Sequence, residues 1–487
     1  MPRGQTPEGA ILALCAMLCA VGCASGTSHP APAPAVPISR LPASFAARID
    51  AQMLRAVEEQ QLPGVSVAIG RLDGTILYAN GYGFRNLARH EAADANTVYN
   101  IASITKQFTA ASVLLLAHDR RLTIDDPVSR FVADAAFAKG VSLRDLMNHT
   151  SGIPDYFCLP GYQSTMSARD IVRLAASQPL RFRPGTGYEY SNTNYVLLGL
   201  AIEKAGGLPY AEFIRRRMLG PAQMGSSRVG EVPGDGPDDA IGYTVYDDAL
   251  SPAPASATDL AYGAGAIDST VVDLVRWDAA LLGDKLLDGT ERQLMLAPRP
   301  YEPDTTERYG FGLHEGRVAG DRELYHRGRN DGYGGINATF PDDNLSIALL
   351  ANNEHFAPMR LVDQLYALVV PAGTSARTAS REDVPPGDPR VDARAKSWIE
   401  RLVSGDIDRA QLSPDAAQRY SAAEVGSLST RLAGFGPLQS LTLMEKDSRC
   451  LGSDYTYQAM FQNAIAEFRF GVGRDGKIWN LAFDRED

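Results

Sequence analysis

Ser103-Ile104-Thr105-Lys106, running on toward Val113-Leu114-Leu115-Leu116, is the stretch on which the reading of this chain turns. The run is apolar on most faces, so it reads as a helix buried at the centre of a domain and ending near His118. On a helix, a hydroxyl and an amine three residues apart share one face, stacked a turn apart. Serine alone is a poor nucleophile near neutral pH. A lysine stripped of water is held neutral and can take the hydroxyl proton, because burial disfavours its charged form. Together they form a nucleophile–base unit of the kind used in serine acylation. The pattern is short, and about one chance match is expected in a chain of this length at average residue usage. Lysine is scarce here, however, and only Lys106 has a serine three residues upstream.

Working outward, Val65–Ile69 and Thr75–Tyr78 read as strands joined by a turn at Asp73-Gly74. Helices are expected at Leu143–Asn148, Ala168–Gln178, Tyr195–Ala205 and Ala211–Met218. Strands return at Gly310–Leu313, Leu324–His326, Gly335–Phe340 and Leu345–Leu350, with a turn at Asp342-Asp343-Asn344. Strands at both ends around a helical middle imply one antiparallel sheet assembled from the two ends, an α+β arrangement.

Two further groups carry chemistry. Tyr190-Ser191-Asn192 follows the turn-rich loop Arg183–Gly187 and precedes a helix beginning near Asn194, where a phenol and an amide can point into a cleft. Tyr78-Ala79-Asn80 has the same pattern inside a strand segment and reads as structural. In His326-Arg327-Gly328, strand alternation puts His326 and Gly328 on one face, and the glycine would let a substrate approach the backbone.

Composition is that of a globular chain: 487 residues, 45% hydrophobic and 22% charged. A net charge of −11 argues against a nucleic-acid partner. Residues 1–23 read as a signal peptide, with Arg3 ahead of an apolar stretch from Ile11 to Val21. Ala20-Val21-Gly22-Cys23 resembles a lipoprotein cleavage box, making Cys23 a lipid anchor, although plain signal cleavage is the alternative. Residues 24–40 form a Pro/Ala-rich tether. Cys158 and Cys450 then remain, in different expected domains, and a single bridge between them is not expected. The histidines show no metal-ligand spacing, so neither a metal site nor a cofactor is expected.

In chain order the three groups resemble those of the serine β-lactamase and penicillin-binding-protein-like family, in its class C β-lactamase, D,D-peptidase and family VIII esterase branch. Leu143–Pro154 is similar to the family's "LRDLLTHTSGLP" segment, Phe182–Tyr195 to the segment carrying its tyrosine, and Ala264–Trp277 to its "AGGL-STA-DLARW" stretch. The resemblance covers about residues 45 to 370 and implies a β-lactamase/transpeptidase-like fold, an antiparallel sheet plus a helical subdomain. It implies Ser103 as the acyl-accepting nucleophile with Lys106 and Tyr190 as its proton partners, the base in each step being left open. Asn192 would orient the substrate and the lysine. His326 and Gly328 would line the cleft, the oxyanion would be held by the backbone N–H groups of Ser103 and Arg329, and His149 would have a structural role.

β-Lactamases of this branch carry Lys-Thr-Gly where this chain has His326-Arg327-Gly328. A neutral histidine weakens carboxylate recognition, so an esterase or D-amino-acid peptidase is expected ahead of a β-lactamase. A catalytically poor penicillin- or peptidoglycan-binding protein is the alternative of another class. Expected partners are a small-molecule or peptide substrate, peptidoglycan among them, and a membrane only through the lipid anchor. The expected place is the periplasm or cell envelope. The hydrolase would span residues 41–370, followed by a linker at 371–389 and a small α+β domain at 390–487. That last domain opens with a helix presenting Trp398, Ile399 and Leu402, has a second helix capped by Ser421, and ends in alternating aromatic strands resembling an NTF2-like fold.

Overall fold

The computed structural model describes residues 38–487 except 232–233, 235, 247–248, 255–257, 298, 301–307, 371–387, 450–451, 474 and 487. The signal-peptide and Cys23 expectations, residues 24–37 of the expected tether and nearly all of the expected linker lie outside the described residues, while Ile38–Ser39 at the end of the expected tether form a short strand. No helix among the described residues is long and apolar enough to cross a membrane.

The central sheet joins the two ends of the hydrolase region. Its main strands are β1 (Gly64–Gly70), β2 (Ile76–Asn86), β3 (His314–Val318), β4 (Asp321–Asn330), β5 (Tyr333–Phe340) and β6 (Leu345–Ala351). They lie in the order β2-β1-β6-β5-β4-β3, all antiparallel, extended by two-residue strands at Ile38–Ser39 beyond β2 and at Arg308–Tyr309 and Arg299–Pro300 beyond β3. The join between the chain ends is β6 against β1, with Ala348 opposite Ala68. Both strands are buried along their whole length, which is why they read as near-continuous apolar runs.

One sheet face packs against α1 (Ala43–Glu59) and a helix at 359–369, around Ile49, Met53, Val67, Ile347, Leu361 and Leu365. The other face meets the helical middle. At its centre is α2 (Thr105–His118), buried except near its C-terminal end, as its all-round apolar sequence predicts. Around it lie α3 (Leu143–Met147), α4 (Ala168–Ala176), α5 (Asn192–Gly206), α6 (Tyr210–Ile214), α7 (Thr258–Gly265) and α8 (Val271–Leu282). Phe108 of α2 stacks on Trp277 of α8 at 3.7 Å between ring centres, and the indole N–H donates to Gln107 Oε1 at 2.8 Å. Such a pair contributes about 0.5–1.5 kcal/mol beyond its buried area.

Two expectations are corrected. Gly310–Leu313 is a bend, not a strand, and pairing resumes at His314. Gly312 there has φ +77°, and a Cβ would come within 2.7 Å of the Lys106 carbonyl oxygen, so the segment folds over α2. Cys158 is disulfide-bonded, against the expectation of no bridge, and its partner lies outside the described residues. The expectation rested on placing Cys158 and Cys450 in different domains, and a domain assignment read from sequence does not limit which cysteines meet in space.

Residues 389–486 build a sheet and core of their own. Helices α9 (Pro389–Ser404), α10 (Pro414–Arg419) and α11 (Ala422–Ala433) accompany a four-stranded antiparallel meander, β7 (Leu438–Arg449), β8 (Gly452–Phe461), β9 (Ile465–Gly473) and β10 (Ile478–Glu486). Trp398, Ile399, Leu402, Tyr457, Phe468 and Phe470 are buried together. Ser421 caps α11 in a capping box with Glu424.

Candidate active site

The nucleophile sits in a strained turn. Ala102, a non-glycine residue, has φ +47°, and its N–H donates to Asn100 Oδ1 at 3.0 Å. This turn aims Ser103, partly buried in a single 3-10 turn (Ala102–Ile104), just ahead of α2. Such conformations persist where the surroundings over-determine them. Here β4 closes on the turn at Gly328, where a Cβ would lie 2.2 Å from the Ile101 carbonyl oxygen. The close approach that this glycine permits is therefore to the chain itself.

Lys106 is fully buried one turn into α2. Its Nζ is 3.0 Å from Ser103 Oγ, 2.8 Å from Asn192 Oδ1 and 2.9 Å from the Ala264 carbonyl oxygen. Burial pulls its pKa down to about 7, against an opposing pull from Asp155. Two of its three neighbours fix the direction of proton transfer. A carbonyl oxygen can only accept, and Asn192 turns its oxygen to Lys106 because its amide nitrogen donates to Asp155 Oδ2 at 2.9 Å. A neutral amine has two protons and one lone pair. With both protons committed, the lone pair faces Ser103.

Tyr190 is held by His149 from both sides. The His149 carbonyl accepts from Glu189 N–H at 3.1 Å, and its Nδ1 accepts from Ser191 N–H at 3.2 Å. The rings of the two residues lie 4.3 Å apart, and Lys106 Nζ is 5.0 Å from the centre of the Tyr190 ring. The Asn194 amide also reaches His149 Nδ1, so that nitrogen is an acceptor and the proton sits on Nε2. Burial holds this imidazole neutral.

The first turn of α5 stitches the Tyr190 segment to residues 149–156. Asn192 binds Asp155, Thr193 Oγ1 binds the Pro154 carbonyl and Tyr156 N–H, and Asn194 binds His149 and Ser151. The helix begins at Asn192, two residues before the sequence expectation, because these polar side chains find partners outside the helix.

His326 is buried opposite. Its Nδ1 lies 2.7 Å from the Arg327 carbonyl and its Nε2 3.0 Å from the Tyr309 hydroxyl. A carbonyl can only accept, so the proton is on Nδ1 and the tyrosine donates to Nε2. Burial holds its pKa well below the ordinary value, so this position carries no positive charge near neutral pH. Arg329 is placed by register. Asn330 pairs with Tyr333 across a two-residue turn, which makes theirs a hydrogen-bonded pair. Alternation makes Gly328–Gly335 another and leaves Arg329–Gly334 unbonded, so Arg329 N–H points away from β5. The pairing of β3 with β4 ends at Tyr325, and beyond it this edge of β4 meets the nucleophile turn instead of a strand.

The structure thus brings Ser103, Lys106, Tyr190 and Asn192 together, with His326 facing Tyr190 at 6.3 Å between ring centres. Tyr78, in the decoy Tyr-Ala-Asn, instead donates to Asp50 Oδ1 in the core on the other sheet face. Sequence reasoning missed Tyr309 and Asp155, single residues with no spacing signature. At the far end of α2, exposed His118 and Asp288 and half-buried Glu291 lie close enough for their side-chain atoms to share a cation, a grouping with no spacing signature in the sequence.

The family model described as Beta-lactamase matches residues 47–372. The chain belongs to the beta-lactamase family. It is a serine hydrolase of the β-lactamase and penicillin-binding-protein type. It is 32% identical over 317 residues to penicillin-binding protein 4* of Bacillus subtilis, a match covering 61% of this chain and 69% of that protein. Among solved structures, D-amino acid amidase from Ochrobactrum anthropi in complex with L-phenylalanine amide is 25% identical, with a TM-score of 0.59 over 67% of this chain and 97% of that one. The octameric penicillin-binding protein homologue of Pyrococcus abyssi shares the fold over 91% of this chain and 98% of its own, with a TM-score of 0.60 at 21% identity.

Proposed function

We propose that this family member hydrolyses an ester or amide through an acyl-enzyme on Ser103, with D-amino-acid esters, amides or cell-wall peptides as the substrate class. The observation that carries this reading is the three-way bonding of Lys106, which leaves its lone pair only the Ser103 hydroxyl. Ser103 Oγ attacks the substrate carbonyl carbon while its proton passes to Lys106 Nζ. The backbone N–H groups of Ser103 and Arg329 hold the oxyanion, and losing one such donor typically costs about 3–4 kcal/mol. As the bond to the leaving group breaks, that proton reaches the departing oxygen or nitrogen by way of Tyr190. Water then adds to the acyl carbon, giving its proton back through the same groups, and Ser103 is released with the free acid.

Two observations favour this over a β-lactamase. His326 is neutral and bonded on both nitrogens, so it is a poor partner for the carboxylate of a β-lactam. D-amino acid amidase lies among the structural neighbours. Export belongs to the same proposal, supported by the Cys158 disulfide, since such bridges persist in oxidising compartments. A lipid anchor at Cys23 is proposed with it from the likeness of Ala20-Val21-Gly22-Cys23 to a lipoprotein cleavage box. Parallel turnover of a D-alanine p-nitrophenyl ester or anilide and of a penicillin tests it. Faster turnover of the D-alanine substrate is expected; efficient penicillin hydrolysis with no D-alanine turnover would contradict it.

A further inference from the structure

One more residue takes part in the reaction, an inference that rests on the acyl-enzyme reading above. Asp155 lies just beyond the recognised run Leu143–Pro154 and has no counterpart in the expected site. It is buried, the N-cap of a short 3-10 turn, with Oδ1 accepting from Phe157 N–H at 3.4 Å. Its Oδ2 takes the Asn192 amide at 2.9 Å. An asparagine amide is nearly symmetric in shape, so nothing in its own outline decides which end faces the lysine. A carboxylate, which can only accept when ionised, does decide it.

We propose that Asp155 is a positioning residue for acylation, fixing the Asn192 amide so that its oxygen holds a Lys106 proton and the Lys106 lone pair is left to Ser103. The chain Ser103–Lys106–Asn192–Asp155 then works as the carboxylate of a serine triad does for its histidine, by orienting the base without taking its proton. The groups facing this chain are few. Lys106 is met by His149, by the Tyr190 and Tyr195 rings, and across the cleft by His326. Asp155 is met by Lys106, Tyr156 and Tyr162. Both histidines are held neutral, so Asp155 is the one carboxylate among these groups that acts on the lysine, and it favours the charged amine.

This gives a test that a merely structural role would not pass. Asp155→Asn keeps the shape and removes both the charge and the obligate acceptor. With a p-nitrophenyl ester, kcat is expected to fall about 10- to 100-fold with KM nearly unchanged, as misorientation in an active site does. The acid limb of the kcat/KM profile should move to lower pH, because the lysine loses the charge that favoured its protonated form. Asp155→Ser, less demanding sterically, should show the same shift if Asp155→Asn does not fold. Ester turnover that is lost in Ser103→Ala but unchanged in rate and pH profile in the folded Asp155 variant would overturn this proposal alone. Turnover that survives Ser103→Ala would overturn the acyl-enzyme reading beneath it.

Discussion

Lys106 Nζ, fully buried behind the partly buried Ser103, stands 2.9 Å from the carbonyl oxygen of Ala264, an acceptor with no proton to offer. Because the lysine pKa is drawn down to about 7, the amine is neutral above that pH and charged below it. Activity should therefore fall as pH drops through about 7, with the lone pair lost to a proton. A kcat/KM profile with an acid limb near 7 is the expected result. Lys106→Ala should lower kcat/KM by about 100- to 10,000-fold, the usual worth of a general base.

His149 reaches both neighbours of Tyr190, so it should govern the tyrosine without touching substrate. His149→Ala removes the acceptor of Ser191 N–H and of the Asn194 amide, and each buried polar group so abandoned costs about 1–3 kcal/mol. A lower melting temperature together with reduced kcat is expected, measured by thermal unfolding and steady-state kinetics. Unchanged kcat in a folded variant would show that the Tyr190 loop holds itself.

Gly328 separates β4 from the nucleophile turn by less than a methyl group. Gly328→Ala should push Ile101 and Ala102 away, moving Ser103 from Lys106 and from the Arg329 N–H. Overpacking of this kind costs about 1–3 kcal/mol in stability. The expected signature is a loss of kcat larger than the loss of melting temperature would suggest. Gly328 lies outside the positive-φ region, so its effect is collision alone; Gly207→Ala, at a helix end where a Cβ meets nothing but φ is +73°, is the opposite case of strain without collision.

Asp278 lies buried beneath the sheet, accepting from Asn337 Nδ2 and Ser346 Oγ at 2.6 Å each. Burial raises its pKa from 3.8 to about 7. The folded state therefore holds a proton that the unfolded chain has released between those values, and this group's contribution to stability declines as pH rises through about 7. Asp278→Asn removes that contribution, and the Ser346 hydroxyl can turn to accept from the new amide. The drop in melting temperature from pH 5 to pH 8 should be smaller in the variant than in the wild type.

Much of this is legible in the sequence. Buried elements announce themselves by apolar runs, so α2, β1 and β6 could be read directly, and the motif serine and lysine could be placed on one face. Strands at both ends of the region implied one shared antiparallel sheet, but not that β6 and β1 are the strands that meet. What stayed hidden depends on contacts between distant segments. Gly310–Leu313 has strand-like composition, yet packing over the Lys106 carbonyl bends it at Gly312. Asp155 is one carboxylate among many until α5 brings Asn192 to it. Cys158 looked solitary because Cys450 was placed in a different domain, and such an assignment does not limit which cysteines meet in space. The proton positions on His149 and His326 emerged only from their neighbours, since a tautomer has no trace in sequence.

The most direct measurement is intact-mass spectrometry of the protein quenched during turnover of a D-alanine p-nitrophenyl ester, followed by peptide mapping. One acyl group on the peptide containing Ser103, absent in Ser103→Ala and accumulating in Tyr190→Phe as deacylation slows, is the expected result. Nitrophenol release with no adduct at any time in either protein, or an adduct on a different residue, would contradict a covalent mechanism at Ser103.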